Sequence, residues 1–315
     1  MKQPSLLFWG TPEFALPSLK KMHEGGFNIQ GAVTNPDEPT GRKQIITPSP
    51  IKRLADHYKI PVFQPAHITP EFIRDLPTVD LFVVVAFGKF LPKELIQKPH
   101  LGALNVHPSL LPRWRGPSPL QSAILHGDTE FGVTIMQIDE LMDHGPILVS
   151  EKLKVKNEKV TYTTLHDELA SSGANLLIET LPKWFAGEIK PLQQDDAQAT
   201  FSKILKKDDG RINWSRSAEE IDRMVRAFEQ WPTSWTLWPS RSKIYRIKIE
   251  EAAIIDDESP HGVPGFTWSN NKSPFLVKTG RGSLILKRIT IEGKNSLLAE
   301  EIVRGYPELL GSTFV

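Results

Sequence analysis

The sequence predicts an α/β fold in which a doubly wound, mostly parallel β-sheet is followed by a small antiparallel β-barrel. Strand-like apolar runs alternate with helix-like segments through most of the first 190 residues, which favours a parallel sheet with helices on both faces. The run LFVVVAFG at 81–88 is almost continuously β-branched or aromatic, as in a strand buried on both faces. From Trp235 onward, short strand-like segments alternate with turn signals such as SPHGVPG and KTGRGS, which favours a barrel.

The first sixty residues contain two predicted strand–helix pairs. SLLFWG at 5–10 predicts a buried strand that ends in a glycine turn, and EFALPSLKKMHEGG at 13–26 predicts an amphipathic helix closed by glycines. NIQGAVTN at 28–35 predicts the second strand. PDEPTGRKQIITPSP at 36–50 is rich in proline and predicts a long loop, which is functional or mobile. SPIKRLADHYKI at 49–60 predicts the second helix.

The next elements continue this alternation of strands and helices. After the short strand PVFQP at 61–65 and the buried run at 81–88, GALNVHPS at 102–109 and GVTIMQI at 132–138 predict two further strands. A long helix is expected within 160–187. The C-terminal segment SAEEIDRMVRAFE predicts a shorter helix capped by its serine. The elements therefore suit one layered sheet and a separate smaller domain.

Length and composition restrict the class of protein. A chain of 315 residues is long for one hydrophobic core, so we expect an N-terminal domain at 1–189, a linker at 190–206 and a barrel domain at 207–315. The net charge of +1 neither requires nor excludes a polyanionic partner, although positive charges are in slight excess over residues 201–315. The sequence has no cysteine, which excludes disulfides and thiolate nucleophiles and fits a reducing, cytoplasmic location. The apolar runs are too short for a signal peptide or a membrane span.

Asn105 and His107 are the first candidate catalytic residues. They are separated by one residue on a predicted strand, so both side chains point to the same face. An amide donor beside an imidazole can polarise a carbonyl, stabilise an oxyanion and move protons near neutral pH. The alternative is that the pair only satisfies loop amides at the end of a strand.

Asp143 is the third candidate, because it follows the next predicted strand. If that strand runs parallel to its neighbours, its carboxylate comes to the same sheet edge as His107, where ligands bind in doubly wound folds. A carboxylate there would orient the imidazole and stabilise its protonated form. An aspartate in a Gly/Pro turn is otherwise a common turn residue.

Other chemistries find less support in the sequence. The histidines lack the H-x-x-x-H or H-x-x-E-H spacing of zinc sites, so no metal is expected. Ser109 is not within a G-x-S-x-G motif. The first turn reads GTPEF, which matches neither a dinucleotide fingerprint nor a P-loop, so a nicotinamide cofactor or a nucleoside triphosphate is disfavoured.

The motifs together resemble those of the folate-dependent formyltransferases. NVHPSLLPRWRGPSPLQ at 105–121 and GVTIMQIDELMDHGPIL at 132–148 carry the resemblance most specifically. FWGTPEFA, TNPDEPTGRK and FVVVAFGKFLP support it, and KILKKDDGRINWSRSAEEIDRMVRAFEQWPTSW is similar to the entry into the family's second domain. The resemblance therefore extends over essentially the whole chain.

The resemblance implies a fold and a reaction. The expected fold is a Rossmann-like domain joined by a linker to an OB-like, tRNA-binding β-barrel. The expected reaction moves a formyl group from 10-formyltetrahydrofolate, the formyl-donor co-substrate, to the α-amine of methionine on initiator methionyl-tRNA for translation initiation. A monomeric protein with no metal and no membrane partner is expected. The same catalytic residues would also suit another amine, such as glycinamide ribotide or an amino sugar nucleotide, and an inactive tRNA-binding protein is a third alternative.

The resemblance also assigns residues to roles. Asn105, His107 and Asp143 match the family's catalytic residues. The residues expected to line the folate site are Ser109, Leu110, Leu111, Pro112, Val85, Phe87 and Gly88. Arg42 matches a contact to the tRNA acceptor end, and Lys43, Lys206 and Lys207 are further candidates for tRNA phosphates.

The sequence departs from the usual family pattern at three places. Lys43 is followed by Gln44 and Ile45 where the family usually has more basic residues, which implies fewer phosphate contacts. Pro108 replaces a more usual glycine beside His107, and His144 stands next to the acid. None of these changes removes a catalytic candidate.

Overall fold

The structure of the protein is a computed structural model that describes residues 3–41, 43–154, 159–240, 243–255, 262–271 and 273–315. The chain divides into two compact units. The first unit consists of Met1–Pro119, Glu130–Lys156 and Leu165–Lys203. The second unit consists of Leu120–Thr129, Asn157–Thr164 and Ile204–Val315. The domain boundaries expected at 189/190 and 206/207 stay predictions.

The first unit is built on a seven-stranded sheet of order β5-β2-β1-β6-β7-β8-β9. A separate two-stranded hairpin, β3–β4, lies within the segment predicted as a long loop. The sequence did not predict it, because strands of three residues, one of them containing a proline, show too little alternation of apolar and polar residues. The strands are β1 Ser5–Gly10, β2 Asn28–Val33, β3 Glu38–Thr40, β4 Ile45–Thr47, β5 Val62–Phe63, β6 Leu81–Val85, β7 Ala103–His107, β8 Phe131–Gln137 and β9 Ile147–Leu153.

Several helices connect these strands. Ser49 caps α2 by accepting a hydrogen bond from the Lys52 amide, with a proline at the first helical position, and Thr69 caps α3 in the same way. Three short helices, α3 to α5, were not predicted from the sequence. The helices are α1 Leu16–Glu24, α2 Pro50–His57, α3 Pro70–Asp75, α4 Lys93–Ile96, α5 Pro119–His126 and α6 Tyr162–Phe185.

The centre of the sheet is buried on both faces, as predicted for β6. All five residues of β6 are buried, and it pairs in parallel with β1 and with β7. Trp9 packs edge-on against Phe87, with 5.2 Å between ring centroids, and tilted against Phe82 at 5.3 Å. This aromatic cluster fixes the carboxyl ends of β1 and β6, beside the end of β7.

Strand β8 is antiparallel to β7, and β9 is antiparallel to β8. The strand before Asp143 therefore runs opposite to the direction expected from the sequence. In the register of β7 and β8, Leu104 faces Gln137 and His107 faces Thr134. The carboxyl end of β8 therefore lies beside the start of β7 and not beside His107. The connection between β7 and β8, residues 108–130, contains α5 but returns to the same edge of the sheet, so a helix between two strands does not by itself make them parallel.

The second unit contains a six-stranded antiparallel sheet, and it includes most of α5 as well as the helices α7 and α8. Its path is β10-β11-β14-β13-β12, with β15 paired to β14. Ser217 and Glu220 form a capping box at the start of α7. The elements are α7 Ala218–Ala227, β10 Ser234–Pro239, β11 Ile244–Ile255, β12 Thr267–Asn270, β13 Ser273–Lys278, β14 Ser283–Ile291, β15 Leu297–Leu298 and α8 Ala299–Gly305.

Residues 312–315 close this sheet into a barrel. Leu237 on β10 exchanges two backbone hydrogen bonds with Val315, each 2.9 Å long. On the other edge, Phe314 donates to the Gly265 carbonyl and Thr267 donates to the Ser312 carbonyl. Both free edges of the sheet are thereby paired, which removes the exposed strand edges that promote aggregation.

The predicted fold class, a mostly parallel α/β sheet plus a C-terminal antiparallel β-domain, is confirmed. Among the described residues, no helix has both the length and the hydropathy to cross a bilayer.

Candidate active site

Asn105, His107 and Asp143 come together at the end of β7. The Asn105 amide nitrogen Nδ2 lies 3.5 Å from Asp143 Oδ1, and His107 Nδ1 lies 3.7 Å from the same oxygen. His107 is buried, whereas Asn105 is partly exposed and the Asp143 side chain is 18% exposed. A substrate can therefore reach the amide and the carboxylate while the imidazole stays shielded from water.

The His107 ring is oriented by a backbone carbonyl. Its Nε2 lies 3.0 Å from the oxygen of Trp114, and a carbonyl only accepts, so Nε2 carries a hydrogen and donates it. In the neutral ring this leaves the lone pair on Nδ1, which faces Asp143. The 3.7 Å separation is too long for a hydrogen bond and leaves Nδ1 available for proton exchange.

Asp143 reaches this site from a turn and not from a strand end, which corrects the route expected from the sequence. Because β8 is antiparallel to β7, residues 138–146 must return toward His107 before β9 begins. Asp143 Oδ2 accepts a hydrogen bond from the Gly116 amide at 2.7 Å, which fixes the carboxylate against residues Trp114–Gly116, the W-R-G segment. Its backbone is in the left-handed region, with φ of 49°.

Side chains from residues 194–196 hold the turn from the other side. Gln194 Nε2 donates to the carbonyls of Asp143 and Gly145 at 2.9 and 2.8 Å. Gln194 Oε1 accepts from Arg115 Nε at 3.0 Å, and Arg115 also donates to Asp196 Oδ1 at 2.8 Å. Since the Arg115 guanidinium is buried, these two acceptors satisfy a charge that would otherwise be costly.

His144 lies next to the catalytic candidate and between two carboxylates. Its Nδ1 is 2.6 Å from Asp139 Oδ2, and its Nε2 is 3.5 Å from Asp196 Oδ2. The hydrogen bond to Asp139 raises the pKa of His144 above its usual 6.5, although burial opposes this shift. The hydrogen bond from Arg115 lowers the pKa of Asp196, so this carboxylate is ionised near neutral pH.

Three non-glycine residues around the site have positive φ. Trp114 has φ of 59°, Asp143 of 49° and Ala86 of 48°. Each such conformation costs roughly 1 kcal/mol or more and persists only where the surroundings impose it. Here the first presents its carbonyl to His107 and the second presents its carboxylate to Gly116, so the unfavourable backbone places two functional groups.

The Ser109–Pro112 segment, expected to line a folate site, is held by internal hydrogen bonds. Ser109 Oγ donates to the Arg113 carbonyl at 2.6 Å, so this hydroxyl is already engaged. Thr134 Oγ1 donates to the Ser109 carbonyl and accepts from the Leu111 amide. Leu111 is buried, while Leu110 and Pro112 are partly exposed. Its folate-lining role stays a prediction.

The second folate candidate, the end of β6, presents backbone and not large side chains. Val85 and Phe87 are buried, and the Phe87 ring belongs to the aromatic cluster around Trp9. Ala86 and Gly88 are exposed, and a Cβ added at Gly88 would meet nothing within 4 Å. A flat ligand at this position would therefore contact the backbone of Ala86 and Gly88.

The candidate tRNA contacts fall in different parts of the chain. Arg42 lies outside the described residues. Lys43 is exposed between β3 and β4 of the first unit. Lys206 and Lys207 are exposed in the second unit, where the Lys207 carbonyl accepts from Trp235 Nε1 at 3.1 Å. Within the described ranges, no three His, Cys, Asp or Glu side chains group as a possible metal site.

Sequence reasoning missed the groups that hold the site together. The Trp114 carbonyl and the Gly116 amide lie within residues 105–121, the stretch that carries the family resemblance most specifically, but the sequence did not show what these backbone groups do. Gln194 has no local signal, because it lies 51 residues from Asp143 in a polar segment of weak periodicity. Of the Asp139–His144–Asp196 arrangement, the sequence showed only that His144 stands next to Asp143, which departs from the usual family pattern.

Comparison with known proteins defines the class to which this site belongs. Residues 5–181 match the family "Formyl transferase", and residues 204–307 match "Formyl transferase, C-terminal domain". The chain therefore belongs to the formyl transferase family, and it is an enzyme. The family resemblance found in the sequence motifs is confirmed.

Two relatives that match over nearly their full length are both named methionyl-tRNA formyltransferase. The methionyl-tRNA formyltransferase of Geotalea daltonii is 39% identical over 311 residues, which cover 98% of this chain and 97% of that protein. The methionyl-tRNA formyltransferase of Synechococcus sp. is 41% identical over 317 residues, which cover 98% of each chain.

Solved structures with lower sequence identity share the fold. An N-formyltransferase from Helicobacter canadensis, in complex with folinic acid and dTDP-3-aminofucose, matches with a TM-score of 0.66 and 20% identity over 90% of this chain and 99% of that one. HypX from Aquifex aeolicus in complex with tetrahydrofolic acid matches with a TM-score of 0.63 and 16% identity. The match covers 98% of this chain but only 48% of HypX. These likenesses support the fold alone.

Proposed function

We propose that this enzyme transfers the formyl group of 10-formyltetrahydrofolate to the α-amino group of initiator methionyl-tRNA, giving N-formylmethionyl-tRNA for translation initiation. The observation that carries the proposal is the cluster of Asn105, His107 and Asp143 in a chain that aligns end to end with methionyl-tRNA formyltransferases. We expect the enzyme to act as a monomer in the cytoplasm.

The chemistry begins with direct attack of the amine. An α-amino group has a pKa of about 7.7–8.0, so a useful fraction is neutral at cellular pH. Its lone pair forms the new C–N bond to the formyl carbon, and the carbonyl π electrons move onto the formyl oxygen. Asn105 Nδ2 carries two hydrogens, so while one points to Asp143 the other can donate to this oxyanion.

His107 and Asp143 then manage the protons. In its protonated form His107 donates from Nε2 to the Trp114 carbonyl and from Nδ1 toward the Asp143 carboxylate and the oxyanion. As the intermediate collapses, the bond from carbon to the folate nitrogen breaks and its electron pair stays on that nitrogen. His107 and Asp143 pass the proton lost by the amine to the leaving nitrogen. No covalent enzyme intermediate is therefore required.

Substrate placement follows from the exposed parts of the site. The backbone of Ala86 and Gly88 and the Ser109–Pro112 segment would receive the folate. Arg42, Lys43, Lys206 and Lys207 are the residues that we expect to contact the phosphates of the acceptor tRNA. Gln44 and Ile45 carry no charge, which predicts a weaker salt dependence than a fully basic loop would give.

The decisive experiment compares three acceptors in one assay with 10-formyltetrahydrofolate. We expect formylation of initiator methionyl-tRNA, with kcat/KM at least about 100-fold above that for glycinamide ribotide or an amino sugar nucleotide. Uncharged initiator tRNA is the control, because it has the same phosphates but no α-amine. Faster formylation of either small acceptor would replace the tRNA assignment, and no formylation of any acceptor would refute the proposed reaction.

A further inference from the structure

The turn that carries Asp143 depends on side chains distant in sequence. Gln194 Nε2 donates to two carbonyls of the turn, those of Asp143 and Gly145. This amide has a defined orientation, since Oε1 must accept from Arg115 while Nε2 must donate to the carbonyls. One glutamine therefore ties both sides of His144 to the segment at 192–203.

Arg115 connects this glutamine to the W-R-G segment. Its backbone amide donates to the Thr200 carbonyl at 2.9 Å, and its carbonyl accepts from the Ser202 amide at 2.7 Å. The same residue is followed by Gly116, whose amide holds the Asp143 carboxylate. The turn is thus fixed at its carboxylate by Gly116 and at its backbone by Gln194, and Arg115 joins these two supports.

His144 adds an ionic contact to the same arrangement. The charged groups that face it are Asp139 on the preceding part of the loop, Asp196 beside Gln194, and Arg115. A protonated His144 can donate to both carboxylates at once, from Nδ1 to Asp139 and from Nε2 toward Asp196. This joins the turn to residue 196 independently of Gln194.

We infer that Gln194, Arg115 and His144 form a clamp of positioning residues that holds Asp143 in its left-handed conformation for formyl transfer. None of the three is required to touch a reacting atom. The inference rests on the proposed function, because it concerns the geometry of that reaction. It explains how an aspartate on a loop keeps a place beside two residues on a strand, although its φ of 49° is locally unfavourable.

The clamp has a predictable dependence on pH. The hydrogen bond to Asp139 raises the pKa of His144, so the ionic contact is complete below the ordinary value of 6.5. It is lost as the pH rises through the pKa of His144 in the folded protein. The turn should therefore be held more firmly at the acidic end of this range, while Gln194 and Gly116 hold it throughout.

The test compares Gln194→Ala with Gln198→Ala. Gln198 is a matched control, because it is exposed on the same segment and its side-chain amide donates to the exposed Asp195 at 2.8 Å. With methionyl-tRNA and 10-formyltetrahydrofolate, we expect Gln194→Ala to lower kcat about 10- to 100-fold, with KM unchanged for both substrates. Hydrogen–deuterium exchange should be faster at 139–146 in this variant and unchanged at 103–107. Gln198→Ala should match the wild type.

A second pair of variants tests His144 without reference to activity. In the wild type, protection from hydrogen exchange at 139–146, corrected for the intrinsic exchange rates, should fall as the pH rises through the pKa of His144. In His144→Gln it should not change with pH. His100→Gln is the control, because His100 lies 3.4 Å from Asp80 in another part of the first unit and should behave as the wild type. Protection that does not change with pH in the wild type overturns the role of His144.

The outcomes separate this inference from the proposed function. A wild type that formylates no methionyl-tRNA refutes the function, while the exchange experiment still decides whether Gln194 holds the turn. Wild-type kcat in Gln194→Ala overturns the positioning role. So does faster exchange spread evenly over the first unit, since that would make Gln194 a general structural residue.

Discussion

Asn105 and His107 stand on β7, whereas Asp143 stands in a turn, and the two halves of the candidate site are held by different means. β7 pairs with β6 on one side and β8 on the other, so the positions of its side chains follow from the sheet. The turn has no such ladder and depends on the Gly116 amide and the Gln194 side chain. The strand provides precision through backbone pairing, and the turn obtains it from individual contacts.

The largest expected effect is chemical and concerns the strand half. His107→Ala removes the proton-carrying group and should lower kcat about 100- to 10,000-fold. The turn should stay in place, because Asp143 is held by Gly116 and Gln194 and lies 3.7 Å from the imidazole. We expect exchange at 139–146 to match that of the wild type.

The turn half is tested in parallel by Asp143→Asn, which preserves the shape of the side chain but removes its charge. Asp75→Asn is the control, since Asp75 is an exposed aspartate that pairs with the adjacent Arg74. Single-turnover formylation measures the loss in each variant. Turnover at the wild-type rate in His107→Ala or Asp143→Asn would show that the cluster does not carry the reaction.

A smaller effect is expected when the turn is displaced but its functional groups remain. A Cβ on Gly145 would lie 2.0 Å from the Gln137 carbonyl oxygen and 3.0 Å from its carbon, so the backbone must move. Gly145→Ala should therefore lower kcat about 10- to 100-fold through misplacement of Asp143. The midpoint of thermal unfolding should also fall, because overpacking costs about 1–3 kcal/mol.

Gly305→Ala serves as the control for this substitution, since an added Cβ there would meet nothing within 4 Å. Exchange should be faster at 139–146 in Gly145→Ala and unchanged in His107→Ala. If both variants increased exchange in the turn equally, the two halves of the site would not be held by different means, and the distinction between β7 and the Asp143 turn would be wrong.

The same distinction explains how much could be predicted from the sequence. Asn105 and His107 follow from alternation along one strand, which is a local property and was predicted correctly in geometry. Asp143 was expected near them on the assumption of a parallel strand, but it arrives from a hairpin loop. Strand direction is decided by pairing with distant residues, and local pattern contains no information about it.

The contacts that hold the turn were less accessible still. Gln194 lies in a segment that the sequence indicated as a linker, and its partners are Arg115, 79 residues away, and Asp143, 51 residues away. A side chain that acts only through such contacts has no periodicity or motif of its own. The resemblance at residues 105–121 covered the Trp114 carbonyl and the Gly116 amide, but it did not show that these backbone groups hold the site.

The smallest expected effect concerns the Ser109–Pro112 loop, which is held by a side chain of strand β8. This loop is intermediate between β7, which backbone pairing holds, and the Asp143 turn, which individual contacts hold. Thr134 on β8 is fully buried, and its hydroxyl donates to the Ser109 carbonyl at 2.7 Å and accepts from the Leu111 amide at 3.2 Å. Thr134→Val keeps the shape but leaves both backbone groups unpaired, which should lower the free energy of unfolding by about 2 kcal/mol.

Because the Ser109–Pro112 segment is the predicted folate lining, Thr134→Val should raise the KM for 10-formyltetrahydrofolate about 3- to 10-fold and leave kcat unchanged. Thr290→Val is the matched control, since its hydroxyl donates to the exposed Glu250 on a neighbouring strand of the second unit. Denaturant unfolding and steady-state kinetics measure the two effects. A fall in kcat with unchanged KM would instead place Thr134 with the supports of His107, because these two residues face each other across β7 and β8.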